Sequence, residues 1–251
     1  MSEPDFSGHI AVVTGGSRGI GAGIAMALAR RGAQVVVNGR DTAAIARVTD
    51  AIRDQGGRSI GVAADVTDED DLAQLRAQAE AAFGPVSLLV ANAGGGGAPE
   101  PLTQMGAERW RGTLEANLTS AFLTLKTFLP TMMEARRGAI VTVASTAGRQ
   151  ASGASAAYAA AKSGLLSLTR QAATEAAPSG VRVNAIAPSS ILTDRMATQP
   201  ETVRQQIAQG FPLRRLGEVE DVAAAALFLL GPSSSWITGV TLDVAGGRVM
   251  L

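Results

Sequence analysis

The chain has no cysteine, a single histidine (His9), a single tyrosine (Tyr158) and no excess charge, with 22 basic against 22 acidic side chains in 251 residues. Without cysteine there are no disulfides, no thiolate chemistry and no cysteine-bound metals. One imidazole rules out a multi-histidine metal site and argues against a serine–histidine triad, so no metal site is expected. Charge balance gives no electrostatic case for nucleic acid or an anionic membrane as partner. No apolar run approaches the ~18 residues of a membrane span; "VAAAALFLLG" falls well short. The N-terminal "MSEPDFSGH" lacks the basic and apolar regions of a signal peptide. A cytoplasmic protein is expected.

What is present is 46% apolar residues and 29 glycines. Short β-branched runs alternate with longer alanine- and leucine-rich segments. The runs at 9–15, 33–39, 59–65, 86–92, 138–145, 181–188 and 239–245 read as strands. They are continuous rather than alternating in polarity, as parallel strands buried on both faces are. Helical patterns fall at 19–31, 41–55, 68–82, 107–134, 152–177 and 218–230. This alternation predicts an α/β fold: one Rossmann-type, doubly wound parallel sheet of about seven strands with helices on both faces, as a single domain over 1–251. The segment 189–217 is polar and interrupted by Pro200, Gly210 and Pro212. It reads as a long loop, and loops of that length are commonly lids over a substrate.

The first strand runs into "TGGSRGIG", residues 14–21, followed at once by a helical pattern. Gly15, Gly19 and Gly21 allow a tight turn and close approach of a ligand, and amides at the helix N-terminus can hold a pyrophosphate. Ser17, Arg18 and Ile20 lie in the same turn and join it in the cofactor set. The second strand ends in Asn38, Gly39 and Arg40, where a fold that prefers NAD usually carries an acid. Asp41 reads as the N-cap of the next helix. Arg40, with Arg18 as a second guanidinium, is placed to take a 2′-phosphate. NADP(H) is therefore favoured over NAD(H), with two solvated surface charges as the alternative.

Ser145 ends the fifth strand, Tyr158 follows thirteen residues later and Lys162 four after that. On a helix, Tyr158 and Lys162 share one face a turn apart. A nearby ammonium would lower the phenol pKa from its usual ~10, so the tyrosine would exchange a proton near neutral pH. The alternative is an amphipathic tyrosine at a packing face beside a solvated lysine.

Together these motifs resemble the short-chain dehydrogenase/reductase family over nearly the whole chain. The matching residues are "TGGSRGIG", Asp65-Val66, "NAG" at 92–94, Asn117, Ser145, "YAAAK" at 158–162 and "VNAIAP" at 183–188. The resemblance implies that Tyr158 is the general acid, that Ser145 polarises the substrate oxygen, and that Lys162 binds the nicotinamide ribose and acidifies the phenol. Asn117 would hold a relay water. Asp65 and Val66 would contact the adenine, the backbone of Asn92, Ala93 and Gly94 the adenosine ribose. Ile186 and Thr193 would face the nicotinamide amide, with Pro188 and Ile191 in the same set. Two positions depart from the pattern: Ser189 replaces the usual glycine after Pro188, and Ala91 the asparagine before "NAG". Serine takes positive φ at a cost, so the loop beside the nicotinamide is expected to run differently.

The implied function is reversible hydride transfer between a nicotinamide cofactor and a small-molecule ketone or secondary alcohol, run as an NADPH-dependent carbonyl reductase. The general likeness is to the 3-oxoacyl-thioester reductase branch, including "WITG" at 236–239. The alternatives are an NAD-dependent secondary-alcohol dehydrogenase and a non-catalytic dinucleotide-binding sensor. The substrate region is expected in 189–217, 94–104 and 146–157, with Leu102, Met105, Ile191, Leu192, Met196, Ile207, Phe211 and Leu213 as candidate apolar lining. A homotetramer or homodimer is implied. Helices 107–134 and 152–177 would pair across one interface, where Ser155, Ala159 and Ser163 permit close approach, and the C-terminal strand and tail would form another.

Overall fold

The computed structural model describes residues 5–250. The N-terminal stretch read for a targeting signal lies partly outside them. In chain order the strands are β1 (Ile10–Thr14), β2 (Gln34–Gly39), β3 (Arg58–Ala63), β4 (Leu88–Ala91), β5 (Gly138–Val143), β6 (Val181–Pro188), β7 (Ile191–Leu192), β8 (Gly217–Glu218) and β9 (Thr241–Val244). The helices are α1 (Gly19–Arg30), α2 (Thr42–Asp54), α3 (Glu69–Phe83), α4 (Ala107–Leu114), α5 (Ser120–Glu134), α6 (Ala156–Ala176), α7 (Asp194–Ala197), α8 (Glu201–Gln209) and α9 (Val219–Leu230).

Seven strands form one parallel sheet in the order β3-β2-β1-β4-β5-β6-β9. Its strands read as unbroken apolar runs because both faces are covered. Along β1, Ala11 and Val13 point to one core, with Ile24 and Leu28 of α1 and Val222, Ala226 and Leu230 of α9. Ile10 and Val12 point to the other, with Leu72 and Leu75 of α3 and Phe128 and Met132 of α5. The period of two thus survives inside a sequence that looks uniformly hydrophobic.

Helix starts follow from capping. Asp41 accepts from the Ala44 N–H at 3.0 Å and opens α2. Asp68 accepts from Asp70 and Asp71 N–H and opens α3, whose first turn is acidic, matching the positive end of the helix dipole. Ser155 accepts from the Tyr158 N–H at 3.3 Å and opens α6.

Three expectations change. The pattern at 107–134 is two helices joined by a single π-helical turn, Glu115–Thr119. The helix expected at 152–177 begins only at Ala156, because Ser155 is spent on the cap. The segment 189–217 is not a bare loop: it holds β7, α7, α8 and β8, with β7 and β8 paired in parallel. Pro200 precedes α8, Gly210 is the residue just past its end and Pro212 follows, positions where these residues punctuate helices rather than exclude them. Among the described residues no helix is long and apolar enough to cross a membrane.

Candidate active site

The winding reverses between β1 and β4, and at that point the carboxyl ends of the strands open into a cleft of about 1000 Å³. Such a switch point is where open α/β sheets take ligands.

One wall is the turn between β1 and α1. Gly15, Ser17, Arg18, Ile20 and Gly21 line it, while Gly19 lies behind, facing Thr193. A Cβ at Gly21 would run into the Gly15 carbonyl oxygen and the Asn92 Nδ2, so the turn closes only without a side chain there. Asn92 donates from Nδ2 to the Thr14 and Gly15 carbonyls at 3.1 and 3.0 Å. The Thr14 Oγ1 in turn accepts the Asn92 N–H at 3.1 Å and the Ala93 N–H at 3.3 Å. This clamp joins the ends of β1 and β4. Sequence reasoning gave Asn92 a backbone role and left Thr14 out; the partners are more than 70 residues apart, and no local spacing signals them. Helix α1 has no acidic residue in its first turn and, unlike α2, α3 and α6, no side-chain cap. Its N-terminus is therefore open to a phosphate group.

At the tip of β2, the Asn38 side chain is buried and donates to the Val62 and Ala64 carbonyls at 3.3 and 3.1 Å. It ties β2 to β3, and its amide is not presented to a ligand, although the residue borders the cleft. Arg18 pairs with Asp41 at 3.0 Å and Arg40 with Asp65 at 3.6 Å, the two guanidinium side chains being 67% and 80% exposed. Asp65 also accepts the Thr67 N–H and hydroxyl, which hold its carboxyl below the usual range with further help from Arg40. Val66 and the backbone of Ala93 and Gly94 complete this end.

At the other end, Ser145 follows β5 and Tyr158 and Lys162 stand on α6. Lys162 is 3% exposed and its Nζ donates to the Val143 carbonyl at 2.9 Å. Burial brings its pKa down to about 8. Its Nζ lies 5.7 Å from the centre of the Tyr158 ring. The phenol does not show the expected acidification: burial pushes its pKa up, partly offset by the Ser145 hydroxyl beside it. The ammonium lies against the Val143 carbonyl, and the apolar surroundings disfavour phenolate. Ser145 Oγ also accepts the Ala147 N–H at 3.2 Å, shaping the turn that follows. That turn ends at Arg149, whose Nε and Nη2 reach the two carboxylate oxygens of Asp243 on β9, each at 3.1 Å.

Asn117 does not line the cleft. Within the π-helical turn its Oδ1 accepts the Gly95 N–H at 2.9 Å, and its Nδ2 donates to the Gly95 and Thr113 carbonyls at 3.2 and 3.0 Å. It anchors the glycine-rich loop after β4. Gly94, at φ +130°, presses so near that a Cβ would stand 2.5 Å from the Asn117 Oδ1.

Pro188, Ile191 and Thr193 border the cleft, and Ile186 is buried in the core beneath. Thr193 Oγ1 caps α7 by accepting the Met196 N–H at 3.4 Å. Ser189 keeps negative φ, since the positive-φ residues other than glycine among those described are Arg136 and Arg214; its N–H donates to the Val244 carbonyl at 3.3 Å. The glycine-to-serine departure thus needs no special backbone here. Ala91 is buried packing, as its small side chain requires. Of the expected apolar lining, Ile191, Met196 and Ile207 reach the cleft. Phe211 and Leu213 line a separate hollow of about 320 Å³, while Leu102 is exposed. The cleft also takes in Gly96, Arg195, Gln199 and Val203, all within the expected substrate ranges 94–104 and 189–217, though the last three were not named individually.

The turn between β1 and α1, the open helix end and the cleft's size fit a dinucleotide, with Ser145, Tyr158 and Lys162 at its far end. Comparison with known proteins points the same way. A family model described as enoyl-(acyl carrier protein) reductase matches residues 15–248. Cis-4-hydroxycyclohexanecarboxylate dehydrogenase of Sinomonas cyclohexanicum is 44% identical over 243 residues, covering 96% of this chain and 97% of that protein. The 3-oxoacyl-[acyl-carrier-protein] reductase of Escherichia coli is 39% identical over 248 residues, covering 98% of this chain and 100% of that protein. The crystal structure of a 3-oxoacyl-[acyl-carrier protein] reductase with bound NAD from Brucella melitensis superposes with a TM-score of 0.91 at 35% identity, covering 99% of this chain and 94% of that one.

Proposed function

The chain belongs to the short-chain dehydrogenase/reductase family and is an NAD(P)-dependent oxidoreductase acting on CH–OH and C=O groups, and we propose that it works as an NADPH-preferring reductase of small ketones. The observation that carries this reading is the grouping of Ser145, Tyr158 and the buried Lys162 at the far end of a cleft sized for a dinucleotide.

When bound, the nicotinamide supplies the hydride for reduction or accepts it for oxidation. The protein's residues do the rest. Ser145 and Tyr158 hold the substrate oxygen between two hydroxyls. As the carbonyl carbon gains hydride, the π electron pair moves to oxygen, and Tyr158 gives that oxygen its proton. A phenol kept protonated by burial is ready as an acid for this direction. Lys162 lies beneath the ring, where a cation stabilises the phenolate left behind, and its remaining protons are free for ribose hydroxyls. Asn117 acts by fixing the Gly95 loop, and the α1 N-terminus would hold the pyrophosphate. Asp65 and Val66 would border the adenine, Ala93 and Gly94 the adenosine ribose, and Pro188, Ile191 and Thr193 the nicotinamide.

Preference for NADPH rests on Arg18 and Arg40. Their pairs with Asp41 and Asp65 are solvent-exposed and therefore weak. A 2′-phosphate offers several oxyanions and would displace them. The 3-oxoacyl thioesters and the hydroxycyclohexanecarboxylate named for the relatives are the two substrate chemistries to compare. A non-catalytic sensor has no use for the serine–tyrosine–lysine set.

The test is cofactor titration and turnover on a ketone panel for the wild type, Tyr158→Phe and Arg40→Ala. Tyr158→Phe should lose more than nine-tenths of turnover while binding NADPH normally. Arg40→Ala should weaken NADPH roughly tenfold, the worth of about 1.4 kcal/mol, and leave NADH binding alone. Tighter NADH than NADPH binding by the wild type would reverse the cofactor assignment.

A further inference from the structure

The substrate end of the cleft is lined by both polar and apolar side chains. Met196, Val203 and Ile207 form one side of it, on and around α7 and α8. Two cations also line this end: Lys162, which is turned onto the Val143 carbonyl, and Arg195. Arg18 and Arg40 belong to the adenosine end and already face carboxylates.

Arg195 differs from both. Its Nη1 donates to the Gly96 carbonyl at 3.1 Å. No carboxylate among the described residues comes within ion-pairing distance of it, although Asp194 is its chain neighbour. Gly96 is also the residue against the catalytic ring: a Cβ there would stand 3.6 Å from Tyr158 ring carbons. The guanidinium and the proton-donating ring thus flank one residue of the glycine loop. Arg195 is thus an exposed cation at the edge of the cleft, beside the reacting position, with a neutral carbonyl as its protein partner.

Resting on the carbonyl-oxidoreductase reading, we propose that the substrate is an oxo acid or its hydroxy acid, and that Arg195 is the specificity-determining residue that takes its carboxylate. A carboxylate replaces the neutral Gly96 carbonyl with charge-assisted bonds, for which the planar guanidinium fork is suited. The apolar side chains of Met196, Val203 and Ile207 then cover the carbon skeleton between the two polar ends. Gly96 stands between Arg195 and the Tyr158 ring, so a compact skeleton can reach both. A neutral ketone of the same shape leaves the cation as it was and gains nothing from it.

The test compares 4-oxocyclohexanecarboxylate with its methyl ester and with 4-methylcyclohexanone, using NADPH and purified full-length protein. The wild type should favour the acid over the ester at least tenfold in kcat/KM, mostly through KM. In Arg195→Gln that ratio should fall to about one, and in Arg195→Lys it should stand between. The wild-type preference should also shrink with added salt. Equal kcat/KM for acid and ester, or a ratio unmoved in Arg195→Gln, overturns the carboxylate assignment and leaves the oxidoreductase reading intact. No turnover of any of the three, or of the wider ketone panel, by protein that binds NADPH overturns that reading and this inference with it.

Discussion

Lys162 is a cation that the fold takes out of water and gives one carbonyl to hold. Its pKa of about 8 lies below the ~10.4 of an unfolded lysine. Between those values the unfolded chain binds more protons than the native one, so stability rises with pH across that window. Below about pH 8 the penalty of burying the charge is fully present; toward pH 10 it is relieved. In cofactor-free protein, the melting temperature of Lys162→Met should therefore exceed that of the wild type by the most below pH 8, with the gap closing as pH rises. Calorimetry across pH 6–10 reads this, and a gap that stays flat would contradict the buried-cation account. The Tyr158–Lys162 pair was legible in the sequence because an i,i+4 spacing on a helix is local. The direction of the tyrosine's shift was not, because it depends on which carbonyl claims the ammonium and on how much apolar surface covers the ring. Asn38 and Asn117 show the same limit: their positions were readable, but their amides turned out to hold backbone across tens of residues.

At the scale of elements, the π-helical turn between α4 and α5 is the feature that the helical periodicity concealed. One extra residue per turn lets Asn117 reach the loop after β4 while still holding the Thr113 carbonyl of its own helix, and such insertions are frequent at functional sites. The fit is tight. Gly94→Ala would force a Cβ against the Asn117 amide in a backbone region costly for other residues, at roughly 1–3 kcal/mol. Urea unfolding should show a loss of that size, accompanied by a fall in turnover; a loss under about 0.5 kcal/mol, within the range of neutral surface changes, would mean that the loop relaxes freely. The strands and the other helices were readable because continuous apolar runs and Asp or Ser caps signal their own limits. The segment 189–217 was not, because Pro200 and Gly210 look like breakers in a string and act as helix boundaries in space.

Across the whole molecule, four of the nine large apolar side chains exposed among the described residues fall in or close to the outermost strand in the chain. Trp236 is 99% exposed, and Val240, Leu242 and Met250 are open to solvent as well. Clustered apolar exposure marks an association surface, whereas scattered single residues do not, and β9 as an edge strand has one unpaired side. We propose that this rim and the α4–α6 face build a homotetramer or homodimer. Light scattering at micromolar concentration should give a mass of two or four chains, and Trp236→Glu should shift it down; a monomeric wild type would overturn the assembly. The forked Arg149–Asp243 link gives that rim a second meaning. It fastens the perimeter of the sheet to the bend that follows Ser145, so loosening the border strand would also free one end of that bend.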